Sequence, residues 1–89
     1  MKKKDLRIEN KLGLHARAAA QIVRTASMFS SKITFIKDML EIDGKSIMGI
    51  MMLAAAKGTT IQVIVQGDDE EKAIREIEKL FLEKFGEKE

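Results

Sequence analysis

The chain has 89 residues, 45% of them hydrophobic and 34% charged, with a formal net charge of +2 and neither cysteine nor proline. A chain this short is expected to fold as one domain, residues 1–89, burying only ~60–68% of its unfolded surface, so it cannot wall a deep catalytic cleft and any chemistry must sit near the surface. Lack of cysteine excludes a disulfide scaffold, a thiolate zinc site, an iron–sulfur cluster and a thiol nucleophile, and the single histidine, His15, cannot build a multi-histidine metal site.

In chain order, Leu6 and Ile8 alternate with Arg7 and Glu9, the pattern of a strand with one wet face. Over Ala16–Ser27, Ala19, Ile22, Val23 and Ala26 recur at the spacing of a helix lying on a core. Ile33 and Phe35, then Leu40 and Ile42, alternate with polar residues on either side of Lys37-Asp38, which predicts a hairpin turning at that dipeptide. Asp43-Gly44 is a turn signal, and Ser46 suits the N-cap of a second helix over Ile47–Lys57 that Gly58 would stop. Ile61–Val65 is more continuously apolar, as befits a central strand. From Asp69 a last helix carries Ile74, Ile77 and Phe81 on one side, acids Asp68–Glu71 in its first turn, and Gly86 at its end. Strands with one polar face favour an antiparallel sheet covered on one side only, so the expected fold is α+β: an open-faced β-sandwich, four strands under three helices in the order βαββαβα.

The start, MKKKDLRIEN, turns charged again instead of entering an apolar stretch, and the longest apolar run, Ile50–Ala56, is too short to span a bilayer. A cytoplasmic protein with no membrane partner is expected. Residues 1–37 carry nine Lys/Arg against two acids, whereas residues 38–89 carry seven against twelve, a polarity able to steer an acidic partner toward the N-terminal half. Nucleic acid is a poor candidate for that partner, because there is no Tyr or Trp to stack bases and no GxxG loop.

Three features carry chemistry. In Lys11-Leu12-Gly13-Leu14-His15-Ala16-Arg17 a glycine-bearing loop is expected to deliver His15 to the first position of the first helix. The backbone N–H groups that open a helix have no internal partner, so with Arg17 close by they form an anion site beside a nucleophilic ring nitrogen, an arrangement suited to phosphoryl transfer. Gly44-Lys45-Ser46 resembles a phosphate-binding loop only superficially, since the glycine required five residues earlier is Met39. The second helix is apolar nearly all round: Ile50, Leu53 and Ala54 make one stripe and Ile47, Met48, Met51 and Met52 another. Only one stripe can face a sheet, leaving the other to pack on a neighbouring helix or to serve as an adaptable docking surface.

Across about residues 4–85 the chain resembles the HPr family, the histidine-containing phosphocarriers of the bacterial sugar phosphotransferase system. Two separated motifs carry the resemblance in register: Gly13-Leu14-His15-Ala16-Arg17 with Ala19, and Gly44-Lys45-Ser46-Ile47-Met48-Gly49-Ile50-Met51. The resemblance implies a carrier rather than a stand-alone enzyme, with no cofactor and no metal, expected to act as a monomer. Enzyme I, charged from phosphoenolpyruvate, would phosphorylate His15 at its pros nitrogen, and enzyme IIA domains would take the group on. The backbone of Ala16 and Arg17 and the Arg17 side chain would hold the phosphoryl oxygens. Ser46 matches a regulatory serine, implying an HPr kinase/phosphorylase and a catabolite-control transcription factor as further partners in organisms that have them. Ala20, Arg24, Ile47, Met48, Met51 and Met52 fall where the family docks its partners.

One departure stands out: where the family usually has proline after the arginine, this chain has Ala18. Alanine loosens a helix start without removing a phosphate ligand, so function is expected to persist. The alternative reading is a regulatory interaction module, a nitrogen-branch or catabolite-control paralogue acting by protein binding. Under the carrier reading, the positive helix end and Arg17 are expected to hold His15 neutral so that its ring can attack.

Overall fold

Alternation sends Leu6, Ile33, Phe35, Ile42, Ile61, Val63 and Val65 to one side of a sheet, and in the computed structural model, which describes residues 1–89, all seven are buried there. The elements run β1 (Lys2–Arg7), α1 (Ala16–Ala26), β2 (Lys32–Lys37), β3 (Leu40–Asp43), α2 (Ile47–Met52), β4 (Thr60–Gln66) and α3 (Glu70–Leu82), followed by a single 3-10 turn at Lys84–Gly86. The four strands form one antiparallel sheet in the order β1-β4-β2-β3, so β4 is central, as its continuous apolarity predicts. The expected open sandwich is the observed one.

Between sheet and helices lies a single core to which α1 gives Ala18, Ala19, Ile22 and Ala26 and α3 gives Ala73, Ile74, Ile77 and Phe81. Burial of each large aliphatic or aromatic side chain contributes ~1.5–3 kcal/mol relative to leaving it in water. Phe81 packs 6.3 Å from Phe35 and, edge-on, 5.0 Å from Phe85, which ties the end of the chain to the same core. No helix is long and apolar enough to cross a membrane.

The structure corrects four details. The hairpin turns at Asp38 and Met39, not Lys37-Asp38; both residues have positive φ, 50° and 68°, the backbone that matches the twist of a two-residue hairpin. The second helix stops at Met52 instead of Lys57, because Ala54 turns left-handed (φ 48°) and the following chain forms better-placed bonds elsewhere. Gly58 N–H donates to Ile8 C=O and Ile8 N–H to Thr59 C=O, extending the β1–β4 pairing, and Leu14 N–H donates to Ala55 C=O, bonds that a longer helix would forfeit. The last helix ends at Leu82 rather than at Gly86. Lys84 and Phe85 then adopt positive φ with Gly86 (φ 79°), swinging the chain back so that Phe85 enters the core. Finally, Ala54 is exposed and the buried alanine is Ala55.

Candidate functional site

Gly13 allows the loop that presents His15. With φ 66° it adopts a backbone that side chains disfavour, and a Cβ there would sit 2.5 Å from the Ala55 carbonyl oxygen. Asn10, fully buried, fixes the same loop: its Nδ2 donates to Gly13 C=O at 2.9 Å, while its Oδ1 is buried without a partner. Leaving a buried acceptor unpaired is costly, and such costs collect at sites the fold over-determines.

His15 is the N-cap of α1, one position earlier than the first helical residue, with extended backbone (φ −75°, ψ 178°). An N-cap side chain ordinarily accepts a hydrogen bond from the first turn, but the imidazole does not. The first intrahelical bond runs from Ala19 N–H to His15 C=O at 2.9 Å. The N–H groups of Ala16, Arg17 and Ala18 therefore lack an intrahelical partner at the positive end of an 11-residue helix, and the exposed residues Ala16 and Arg17 can offer theirs to an oxyanion. Ala16 and Arg17 are exposed, whereas Ala18 is fully buried.

The ring itself turns toward the last residues of the chain. His15 Nε2 lies 2.5 Å from Glu87 Oε2, with the two side chains 26% and 11% exposed. Glu87 Oε1 in turn accepts from Asn10 Nδ2 at 3.1 Å. Burial pushes the Glu87 carboxyl up, but the hydrogen bonds from His15 and Asn10 and the charges of His15 and Arg17 outweigh it and hold the group below its usual range. The sequence named the positive helix end and Arg17 as neighbours of the ring, and the structure adds a carboxylate in direct contact with it.

An open groove of about 480 Å³ is lined by Lys11, Leu12, Arg17 and residues 86–89, Glu87 among them. Two of its lining residues are tied together, Lys11 N–H donating to Glu89 C=O at 2.7 Å and Lys11 Nζ forming a 3.4 Å ion pair with the Glu89 carboxylate. Leu12, the one hydrophobic lining residue, is 66% exposed.

The second motif lies on α2. Ser46 caps it, its Oγ accepting from Gly49 N–H at 3.0 Å, as predicted. Gly49 lets this short helix lie on β3, since a Cβ there would come within 3.2 Å of Ile42 Cβ. Lys45 and Lys37 do not face the groove: their Nζ atoms donate to Phe29 C=O and Leu53 C=O. Ile50 and Leu53 enter the core, whereas Ile47, Met48, Met51 and Met52 are 42%, 75%, 44% and 64% exposed. The methionine stripe thus faces solvent, and α2 packs on α1, the helix whose N-cap is His15. Ala20 is half-buried and Arg24 exposed on α1.

The charge polarity is partly spent within the fold. The chain's amino group pairs with Glu70, Lys2 with Glu71 and Lys4 with Glu78, so the basic start of the chain meets the acids of α3 along the β1 edge. Such exposed pairs contribute little stability, but they leave Arg17 and Arg24 as positive charge outside that seam.

Glu87 and Asn10 were not singled out from the sequence. Asn10 carried a faint signal, since asparagine ahead of a glycine turn commonly bonds the backbone a few residues on. Glu87 carried none.

Comparison with known proteins agrees with this geometry. Residues 2–83 match the family model described as the PTS HPr component phosphorylation site. The chain is 49% identical over 87 residues to the phosphocarrier protein HPr of Neisseria meningitidis, covering 98% of each chain. It is 43% identical over 74 residues to the HPr-like protein Crh of Halalkalibacterium halodurans, covering 83% of this chain and 88% of that one. Among solved structures, HPr-C-His from Thermoanaerobacter tengcongensis superposes with a TM-score of 0.96 at 48% identity, each chain fully covered.

Proposed function

The chain belongs to the HPr family, the phosphocarriers of the phosphotransferase system that work with its other enzymes, and on that premise we propose that His15 is its phosphoryl acceptor. The observation that carries this reading is the uncapped start of α1, where the imidazole leaves the first-turn N–H groups free. In the proposed step the His15 Nδ1 lone pair attacks the phosphorus carried by enzyme I. The N–P bond forms as the donor bond breaks, and the donor nitrogen keeps the electron pair. The N–H groups of Ala16 and Arg17, with the Arg17 guanidinium, then hold the phosphoryl oxygens. Exposure of the site allows an enzyme IIA domain to approach and take the group in the reverse sense.

We assign docking to Ala20, Arg24, Ile47, Met48, Met51 and Met52, because they present an adaptable apolar surface with a positive charge next to the acceptor's helix. Residues 1–89 act as one monomeric domain in this reading. Phosphorylation of Ser46 would add ~−1.5 to −2 charge beside the methionine surface and weaken the approach of an acidic donor. A kinase/phosphorylase and a catabolite-control factor are the partners for that state. Presence of a histidine at position 15 favours the carrier over a module that only binds.

The test is incubation with phosphoenolpyruvate and purified enzyme I. An acid-labile, base-stable phosphoryl adduct is expected, and it should disappear in His15→Ala. Charging of His15→Ala at the wild-type level would assign the acceptor elsewhere.

A further inference from the structure

The contact between His15 and Glu87 joins residues 72 positions apart, and the acceptor reading does not use it. A ring nitrogen at 2.5 Å from a carboxylate oxygen shares a proton with it. Glu87 is held toward its ionised form, and an ionised carboxylate can only accept. The proton therefore belongs on Nε2. In a neutral imidazole with Nε2 protonated, the lone pair stands on Nδ1.

We propose that Glu87 is a positioning residue for phosphoryl transfer: by accepting the Nε2–H of His15 it fixes the tautomer and the ring plane that leave Nδ1 free as the nucleophile. The proposal rests on His15 being the acceptor.

Three further observations show that the carboxylate is built into place. Its second oxygen accepts from Asn10, whose same nitrogen donates to Gly13 in the acceptor loop, so the loop and the carboxylate share one buried anchor. Phe85, two residues earlier, is seated in the core against Phe81. On the other side, Lys11 N–H donates to Glu89 C=O, so the segment is fastened at both ends. Loss of an orienting partner of this kind matters because a ring free to rotate or exchange tautomers spends part of its time with the wrong nitrogen presented.

In the transfer step no proton need leave. As the Nδ1–P bond forms and the donor N–P bond breaks, the ring gains positive charge while Nε2 keeps its proton against Glu87. The facing charges are Arg17, Lys11 and Lys88 on one side and Glu87 and Glu89 on the other, so Glu87 is the carboxylate in direct contact with the charge that develops on the ring.

The experiment is long-range nitrogen–proton correlation NMR of His15 in wild type, Glu87→Ala and Glu87→Gln, paired with the rate of charging by enzyme I. Expected for the neutral wild-type ring is protonated Nε2 and bare Nδ1. Glu87→Ala should show mixed tautomers and charge about tenfold more slowly, the low end of what loss of a histidine's orienting partner costs. Glu87→Gln, whose amide oxygen can still accept from Nε2, should keep more of the tautomer and more of the rate. The amide spectra report folding independently. A bare Nε2 in wild type, or an unchanged tautomer in Glu87→Ala, overturns the proposal even where charging is normal. If the tautomers behave as expected but wild type is never charged, it is the acceptor reading that fails.

Discussion

The starts of α1 and α2 face opposite demands with the same backbone. At α2 the N-cap does what an N-cap does: Ser46 Oγ takes the Gly49 N–H and closes the helix end. At α1 the N-cap side chain turns away to Glu87 and the end stays open. One start is closed by its own side chain and the other is left open, and under the proposed function a phosphoryl group completes it. On that proposal, capping distinguishes a structural helix start from a chemical one, although both follow a glycine and both begin a helix.

The sharpest way to break the comparison is to close the open start. His15→Asn supplies a strong capping side chain, and charging by enzyme I should vanish while stability holds or rises by up to ~1 kcal/mol, about 4–8 °C in Tm, read by thermal melts. A variant that is charged normally, or that unfolds, would mean that the α1 start is not held open for a ligand. Next in size is the third start, at α3, where Asp69 occupies the N-cap without capping its own helix and accepts instead from Ser30 N–H, Ser31 N–H and Ser31 Oγ–H. Asp69→Ala leaves those donors, including those of buried Ser31, without their acceptor, and should lower the urea midpoint more than loss of a single cap.

Asp69 also predicts a pH dependence. The hydrogen bond from the Ser31 side chain, then that from Ser30 N–H, holds its carboxyl below the usual range despite some burial. A carboxyl depressed on folding contributes stability that is complete above its unfolded value and is lost as pH falls through its folded one. The wild-type urea midpoint should therefore drop on acidification below the ordinary carboxylate range, and Asp69→Ala should flatten that drop. Smaller again, Ser46→Ala should cost ~1 kcal/mol of stability and leave His15 charging unchanged. Ser46→Asp keeps a cap but adds charge, so slower charging with little loss of stability would separate the two functions of that position. Equal charging rates for Ser46 and Ser46→Asp would remove the electrostatic switch from the reading.

Much of the molecule was legible in the sequence because its signals are local. Alternation or continuous apolarity marked the strands, helical periodicity and turn signals marked the helices, and Ser46 was correctly read as a cap; the loop from Gly13 to Arg17 is the basis of the proposed anion site. Errors arose where distant residues compete for a segment. Nothing within Ile47–Lys57 reveals that Ala55 will be claimed by Leu14 and Gly58 by Ile8, so the helix was expected to run on. Glu87 likewise follows a glycine in a charged stretch that reads as a solvated end, and only the packing of Phe85 brings it to the ring. Exposure of the methionine stripe was open between two outcomes until the crowding of α2 by β3 and α1 decided which side faced inward.

Phe85 has one more consequence. It is the last side chain of the core, and the residue two places beyond it touches His15, so the interior is geared to the surface through a very short length of backbone. Wear in that gear need not show as unfolding: a smaller residue at Phe81 could loosen the seat of Phe85 and let Glu87 drift from His15 while the sheet stays intact. Carriers that melt normally yet pass phosphate poorly should therefore be sought among variants of the interior as well as of the loop.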